Sequence, residues 1–277
     1  MRPLAAILAS FILAAVASGA SRAQTVPDYW DERQGVAKAE LEIARLRFLT
    51  TTDFFPFSFL DAQGRLSGFH LDLARAICIE LDLLDRCQIQ ALPFDELEAA
   101  LDEGEGEALI AGLSITRRTR VTLLFSRPYL RFPARFVARR SAGFAEPIYE
   151  QLAGRRIGVM ADTAHEAMLR DFFPQMRPVT YSDRERLLED VADGTIDAVF
   201  GDGMQLSFWL AGEEGRHCCA FTGGPYFAPE YLGQGLAVAV RHDLPDLVTA
   251  IDYALQEIEA KGIFAELYLR YFPVGFH

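Results

Sequence analysis

The 277-residue chain contains no asparagine, only two lysines and only four cysteines. Without asparagine there is no N-glycosylation sequon. Positive charge is also scarce, since 27 Lys and Arg stand against 39 Asp and Glu and leave a net charge of −12. This balance argues against nucleic acid as a partner. With 51% apolar and 24% charged residues, the composition is that of a globular protein and excludes disordered or fibrous classes.

The N-terminal segment has the order of a secretory signal. Arg2 precedes an apolar run over residues 4–16, and small residues follow up to Ala23. The run is short for a membrane span. We therefore predict a cleaved signal peptide over residues 1–23 and a polar N-terminal extension over residues 24–45. Loss of the two arginines in the signal lowers the net charge from −12 to −14, and the mature chain is expected to be soluble.

Export places the cysteines in an oxidising compartment. Cys78 lies inside a helical pattern and Cys87 just past its end, and this spacing predicts a disulfide between them. Cys218 and Cys219 are adjacent, which leaves a vicinal disulfide and two free thiols as open alternatives. No histidine stands at ligand spacing from either pair, so no metal site is expected.

From residue 46 the pattern alternates between strand and helix. Residues 47–50 and 88–92 have the composition of strands, and residues 69–84 carry apolar side chains at the spacing of one helix face. Strands that alternate with helices favour parallel βαβ units. The predicted fold class is therefore α/β.

A helix-and-strand pattern occurs twice. Residues 97–112 and residues 187–201 each contain an amphipathic helix that stops at glycine and a buried strand that ends at glycine. The repeat predicts two lobes, each a mostly parallel sheet flanked by helices, with a cleft between them. Ligands bind at the carboxyl ends of such strands, so the cleft is the expected binding site.

The boundaries of the lobes follow from two strand-like segments, residues 136–140 and 235–240, which we predict to be crossover hinge strands. The predicted division is lobe 1 over residues 46–135 plus 241–277, and lobe 2 over residues 136–240 with the hinge strands at its ends.

Seven short motifs occur in order along this region: TDFFPF (52–57), GFHLDLA (68–74), AGLSIT (111–116), FSRPY (125–129), GRRIGV (154–159), IDAVFGD (196–202) and LYLRYF (267–272). As an ordered set they resemble the family 3 periplasmic solute-binding proteins, the polar amino acid and opine receptors of ABC importers. The resemblance implies a two-lobed periplasmic-binding-protein fold of type II. Some members carry a disulfide where Cys78 and Cys87 lie.

The resemblance also implies a ligand site on lobe 1. Phe54 and Phe94 match the two residues that sandwich the ligand, because aromatic faces desolvate a side chain and attract a cation. Packing in the core is the alternative role for each ring. Gly112 offers backbone groups and Ser114 a hydroxyl to a carboxylate or an amine. For Ser114 a helix N-cap is the alternative.

On lobe 2 the resemblance implies two contacts. Thr163 matches a threonine at the start of a helix, where free N–H groups favour an anion. Asp202 matches the carboxylate that holds the ligand's ammonium, with a solvated loop acid as the alternative role.

Two departures alter the carboxylate side of this site. Members that bind α-amino acids place an arginine five residues after the serine, where this chain has Thr119. Arg118 or Arg120 could substitute; we prefer Arg120, with a surface role for both left open. Asp162 also stands where the family commonly has threonine. The amine side is kept, so a small polar ligand that bears an amine is expected.

Catalytic motifs are absent from the sequence: there is no Gly-x-Ser-x-Gly, no His-Glu-x-x-His and no phosphate-binding loop. His165 is interpreted as a helix-surface residue near the cleft, with a contact to the ligand as the alternative. We predict a periplasmic, monomeric solute-binding protein that is not an enzyme, has no cofactor and delivers its ligand to ABC permease subunits. The alternatives are an accessory or sensory protein with a periplasmic partner, such as one associated with a quinoprotein dehydrogenase, and a cyclohexadienyl-dehydratase-like enzyme.

Overall fold

The computed structural model describes residues 37–38 and 41–277. The predicted signal peptide, residues 1–23, and most of the predicted extension, residues 24–45, lie outside the described residues. Within the described part of the chain, no helix combines the length and the apolar character that a membrane span requires.

Thirteen strands occur in the described residues. They are β1 Leu46–Thr50, β2 Asp53–Phe54, β3 Ser58–Leu60, β4 Leu66–Ser67, β5 Cys87–Ala91, β6 Ala108–Leu109, β7 Leu123–Phe125, β8 Ala134–Arg139, β9 Arg156–Met160, β10 Arg177–Tyr181, β11 Ala198–Asp202, β12 Cys219–Tyr226 and β13 Ala239–Arg241.

Eleven α-helices connect or flank these strands in the same part of the chain. They are α1 Phe69–Glu80, α2 Leu97–Asp102, α3 Thr119–Thr122, α4 Ile148–Gln151, α5 Ala164–Phe172, α6 Arg184–Asp193, α7 Gly203–Ala211, α8 Glu213–Cys218, α9 Pro229–Leu232, α10 Pro245–Ala260 and α11 Ile263–Tyr271. Three short 3₁₀ turns are Leu84–Arg86, Phe94–Glu96 and Arg140–Ala142.

Two five-stranded sheets form the cores of the two lobes. The lobe 1 sheet has the order β5-β1-β6-β13-β7, and the lobe 2 sheet has the order β10-β9-β11-β8-β12. In lobe 1, helices α1, α10 and α11 pack together and share a core with the sheet. In lobe 2, α5 and α6 lie against the sheet. A small antiparallel sheet, β2-β3-β4, follows the first strand. The predicted two-lobed α/β fold is confirmed.

Each sheet is mixed rather than mostly parallel. In lobe 1, β1 pairs in parallel with β5 and β6, whereas β13 pairs antiparallel with β6 and β7. Lobe 2 repeats the arrangement, with β9 parallel to its neighbours and β8 antiparallel to its neighbours. The reversed strand in each sheet is the one that enters from the other lobe, since it arrives without a helical crossover and need not run parallel.

The chain passes between the sheets through residues 126–133 and again through residues 227–238. The two passages run antiparallel and are hydrogen-bonded to each other. The Tyr129 amide donates to the Leu236 carbonyl at 2.9 Å, and the Leu236 amide donates to the Leu130 carbonyl at 2.7 Å. These paired segments are the physical connection on which any movement between the lobes depends.

The predicted hinge strands are therefore partly misplaced. Residues 136–140 fall almost entirely in β8, an interior strand between β11 and β12, and residues 235–240 overlap β13, an interior strand between β6 and β7. Interior strands are buried on both faces and have an uninterrupted apolar pattern. That pattern indicated a strand correctly, but it carried no information on which sheet the strand joins.

The C-terminal segment packs beside these passages. Phe276 is fully buried, and its amide donates to the Tyr268 hydroxyl at 3.2 Å. The Arg135 guanidinium donates to the carbonyls of Phe276 and Gly223, at 3.1 Å in each case, and lies 4.4 Å from the centre of the Phe221 ring. Because Arg135 belongs to β8, these bonds tie the C-terminal segment to lobe 2 as well as to lobe 1.

Both cysteine pairs are bonded. The Cα atoms of Cys78 and Cys87 lie 6.1 Å apart, and this disulfide joins α1 to the start of β5 as predicted. Cys218 and Cys219 form a vicinal disulfide between α8 and β12, which resolves the alternatives that their spacing left open.

The described end of the predicted extension is part of lobe 1. Leu41 and Ile43 pack against its core. The Arg45 guanidinium pairs with Glu107 at 2.8 Å, and Arg86 donates to the Ile43 carbonyl at 2.8 Å. These residues therefore pack on the lobe just ahead of its first strand.

Candidate functional site

Phe54 and Gly112 lie in direct contact on lobe 1. The Phe54 ring stacks on Phe57, with centroids 4.6 Å apart, and meets the edge of His70 at 5.7 Å. A Cβ at Gly112 would lie 2.5 Å from Cε1 of Phe54, so only glycine permits this approach. Phe54 is half-buried and packs against the lobe 1 core, and a contact between its exposed part and a ligand stays a prediction.

Phe94 and Ser114 are exposed. Phe94 begins the 3₁₀ turn before α2 and is 49% exposed, which rules out its alternative role in the core. The helix-cap alternative for Ser114 is not supported, since Thr116 and Thr119 satisfy the backbone of this turn. The Thr116 amide donates to the Thr119 hydroxyl oxygen at 2.9 Å, and the Thr119 amide donates to the Thr116 hydroxyl oxygen at 3.1 Å.

Thr119, where the resembling family has arginine, is buried and its hydroxyl also donates to the Ser114 carbonyl at 3.0 Å. Arg118 pairs with Glu98 at 3.3 Å on the exposed surface of lobe 1. Arg120 is exposed and donates to the Gln234 side chain at 3.0 Å, in the second passage between the lobes. The preferred substitute, Arg120, is thus bonded to the crossing segment in this structure.

Lobe 2 contains a cavity of about 170 Å³ at the carboxyl ends of β9 and β11. Its polar lining consists of Thr163, His165, Arg184, Asp202 and Gln205. Apolar side chains of β9, β11, α6 and α7 line the rest, namely Met160, Leu187, Leu188, Val199, Phe200 and Leu206. Both lobe 2 residues predicted from the sequence, Thr163 and Asp202, are therefore brought together, at the strand edge expected for ligands.

Thr163 is the N-cap of α5. Its hydroxyl accepts a hydrogen bond from the Glu166 amide at 3.2 Å and donates to the Met160 carbonyl at 2.8 Å. A threonine in this position is typical of a helix start, because it satisfies an N–H group that has no partner within the helix. A contact between Thr163 and a ligand remains a prediction.

Asp202 ends β11 and is the N-cap of α7. Its Oδ1 accepts a hydrogen bond from the Gln205 amide at 2.8 Å. Burial raises the pKa of the Asp202 carboxyl, and this outweighs the opposite effects of the Gln205 amide and of His165. Among the described residues, no lysine or arginine forms an ion pair with Asp202. Asp202 is half-buried at the end of a strand, so it is not a solvated loop acid.

His165 is not the surface residue that the sequence suggested. It is half-buried and lines the lobe 2 cavity. Burial lowers the pKa of its imidazole, against the opposing charge of Asp202. His165 is the second residue after the N-cap Thr163, and its side chain lines the cavity at the strand edge, which a helical periodicity alone does not specify.

The contact between the lobes involves aromatic residues that the sequence did not single out. The rings of Phe55 and Phe208, in lobe 1 and α7, lie 5.7 Å apart. Phe54 is the last residue of β2 and lies against Gly112, whereas Phe55 follows it in the turn before β3 and contacts Phe208. Among the described residues, no hydrogen bond or ring contact joins Phe54 to Asp202.

Arg184 and Gln205 were also missed. Arg184 is the first residue of α6, and its guanidinium donates to the Gln205 side-chain oxygen at 2.7 Å and to the Gln205 carbonyl at 3.2 Å. Neither residue lies in a motif, and they are 21 positions apart in the chain. Only the packing of α6 beside the start of α7 brings them together.

Solved structures and sequence relatives agree with this architecture. The second substrate-binding domain of GlnP from Lactococcus lactis, in an open conformation, superposes with a TM-score of 0.69 at 18% identity, covering 86% of this chain and 99% of that one. The arginine-binding periplasmic protein of Mannheimia haemolytica is 30% identical over 213 residues, 77% of this chain and 85% of its own length.

The ABC transporter arginine-binding protein 1 of Escherichia coli K12 is 28% identical over 229 residues, 83% of this chain and 91% of its own length. Residues 46–274, which include both lobes and the lobe 2 cavity, match the family model for bacterial extracellular solute-binding proteins, family 3. This chain belongs to that family.

Proposed function

We propose that this protein captures a small, amine-bearing amino acid in the cleft between its lobes and delivers it to an ABC importer. The observation that carries the proposal is the carboxylate of Asp202, which is half-buried in the lobe 2 cavity without an ion-pair partner among the described residues. A carboxylate partly removed from water attracts an ammonium or guanidinium group more strongly than an exposed one does.

The names of the relatives support the same chemistry. Two proteins that match more than three quarters of the chain are named for arginine binding, and arginine carries both an ammonium and a guanidinium group. In this proposal the half-buried Phe54 ring presents a face to such a cation. We propose cationic amino acids as the first ligands to test.

The location and partners of the protein belong to the same proposal. A signal peptide over residues 1–23 would direct the chain to the periplasm, where relatives with this fold are named as binding proteins. There a monomer would bind its ligand with Phe54 and Phe94 on one wall and Thr163 and Asp202 on the other. The permease subunits in the inner membrane would receive the closed form.

Ligand screening on the mature protein tests the proposal. Thermal unfolding is measured with L-arginine, L-lysine, L-ornithine, L-histidine and L-glutamine, followed by calorimetric titration of each ligand that raises the midpoint. A ligand at 100 times its Kd stabilises the folded state by about 2.7 kcal/mol. A saturable rise with at least one cationic amino acid is expected, and no rise with any of the five would contradict the proposal.

A parallel assay separates the alternatives. Release of product from prephenate-like cyclohexadienyl acids would favour the dehydratase alternative over the binding protein. Co-purification with a periplasmic dehydrogenase, together with the absence of any small-molecule ligand, would favour the accessory protein.

A further inference from the structure

The carboxylate side of the proposed site has no arginine at its expected place in lobe 1. Thr119 occupies that position and is buried, with its hydroxyl donating to the Ser114 carbonyl. Arg118 is paired with Glu98 on the lobe surface, and Arg120 is hydrogen-bonded to Gln234. An amino acid bound at Asp202 therefore needs a cation from another part of the molecule to hold its carboxylate.

Arg184 supplies a cation within the lobe 2 cavity itself. It lines the same cavity as Asp202. Gln205 links them, because its backbone amide donates to Asp202 Oδ1 at 2.8 Å while its side-chain oxygen accepts from Arg184 Nη1 at 2.7 Å.

The bonds to Gln205 also orient the guanidinium. Nη1 and Nη2 of Arg184 each donate one hydrogen bond to Gln205, whereas a guanidinium has five N–H groups in a rigid planar fork. The remaining N–H groups can bind a carboxylate, and a pre-oriented fork loses less conformational entropy when it does so.

We propose that Arg184 binds the carboxylate of the ligand while Asp202 binds its ammonium, so that lobe 2 holds both charged groups of an α-amino acid. This inference rests on the proposed function. It assigns the carboxylate subsite to the first turn of α6 instead of the segment after β6. The substrate class is accordingly a zwitterionic amino acid, and a plain amine of the same side chain binds more weakly.

This assignment also determines the order in which the two lobes contact the ligand. If lobe 2 holds both charged groups, the ligand docks on lobe 2 first. The Phe54 wall of lobe 1 then contacts only the ligand's side chain. Lobe 1 thereby determines which side chain is preferred, and lobe 2 determines that the ligand is an amino acid.

Three probes with one side chain test the assignment: L-arginine, agmatine, which lacks the carboxylate, and 5-guanidinopentanoate, which lacks the amine. Arg184→Ala should weaken L-arginine binding by about 30-fold or more and change agmatine affinity by less than about 3-fold. Arg184→Lys keeps the charge without the fork and should recover part of the loss.

The matched control is Arg177→Ala, which removes an exposed arginine in the same lobe. Arg177 is the first residue of β10, whereas Arg184 follows the last residue of that strand. It should bind all three probes as the wild type does. Circular dichroism and the thermal midpoint without ligand confirm that each variant folds.

The outcomes separate this inference from the proposed function. If wild-type protein binds L-arginine and Arg184→Ala binds it equally well, the carboxylate assignment is overturned and the proposed function stands. An equal loss of L-arginine and agmatine in Arg184→Ala also overturns the assignment. If wild-type protein binds none of the three probes, both the arginine form of the proposed function and the inference are overturned.

Discussion

The Phe54 ring occupies the space that a side chain at Gly112 would fill, with Cε1 2.5 Å from the position of a Cβ. Gly112 also has φ of +76°, in the region that favours glycine. We expect Gly112→Ala to push the ring from its place and to weaken ligand binding along with stability. The left-handed backbone costs about 1 kcal/mol with alanine, and the clash adds about 1–3 kcal/mol.

Gly143→Ala is the control, because Gly143 has φ of +62° and nothing within 4 Å of its Cβ position. Urea unfolding and calorimetric titration are measured on both variants. Gly143→Ala should show the backbone cost alone and unchanged affinity. Equal stability and equal affinity in the two variants would show that the Phe54 contact has no role.

Asp202 and Asp183 are N-caps of successive helices with matching geometry, each accepting a backbone amide at 2.8 Å. Asparagine caps a helix about as well as aspartate, so either Asp→Asn variant removes a charge and keeps the cap. Asp202→Asn should lower affinity for a cationic amino acid by about 2–5 kcal/mol. Asp183→Asn should bind normally, since Asp183 does not line the cavity. Calorimetry decides, and unchanged binding by Asp202→Asn would refute the site.

The disulfide between Cys78 and Cys87 closes a loop with a separation of nine residues. Constraining the unfolded chain over such a loop contributes about 2–3 kcal/mol, against about 1 kcal/mol for the adjacent pair Cys218 and Cys219. We expect the double alanine variant of the first pair to lose more stability in urea than that of the second. Free alkylation of Cys78 and Cys87 in folded, oxidised protein would contradict the assignment.

His70 makes stability depend on pH. It is fully buried, its Nε2 lies 2.8 Å from the Tyr129 hydroxyl, and burial lowers its pKa to about 3. Between its unfolded pKa, about 6.5, and about 3, only the unfolded chain binds the proton. The contribution of neutral His70 is therefore complete above pH 6.5 and is lost as the pH falls toward 3, at up to about 1.4 kcal/mol per unit.

His70→Gln retains a partner for Tyr129 without titrating. Urea unfolding at several values between pH 7 and pH 4 should show a smaller decline in this variant than in the wild type. The wild-type decline also includes His277, whose pKa burial lowers to about 3. Identical slopes in the two proteins would exclude His70 as a source of acid sensitivity.

Closure of the lobes is expected on ligand binding, with movement centred on the paired passages over residues 126–133 and 227–238. Small-angle scattering should report a smaller radius of gyration with a saturating ligand than without it. Asp202→Asn at the same ligand concentration is the control and should not contract. An unchanged radius in wild-type protein with calorimetrically saturated sites would argue against a hinge.

Local patterns in the sequence predicted local structure well, as two examples from lobe 1 illustrate. The apolar spacing that begins at Phe69 marks the observed start of α1. The disulfide between Cys78 and Cys87 followed from spacing and export. Helix faces and short loops depend on neighbouring residues, so their signals lie within a few positions of one another.

The sequence also predicted that Thr163 and Asp202 lie at the carboxyl ends of strands. It did not predict which side chains lie beside them. His165 turned inward, and Arg184 reached Gln205, because α5, α6 and α7 converge at one edge of the lobe 2 sheet. The positions of the two passages between the lobes could not be predicted either. An apolar run indicates that a strand is buried on both faces, but it does not indicate which sheet the strand joins.

The sequence alone therefore determined the family pattern, the alternation of strands and helices, the disulfide between Cys78 and Cys87 and the acid at position 202. Tertiary structure alone decided that Thr119 is buried in a turn and that Arg184 lies in the cavity with Asp202. The physical reason is the distance along the chain over which each interaction acts. Periodicity and capping act over a few residues, whereas a binding cavity is formed by side chains that are brought together only when distant helices pack on the same sheet.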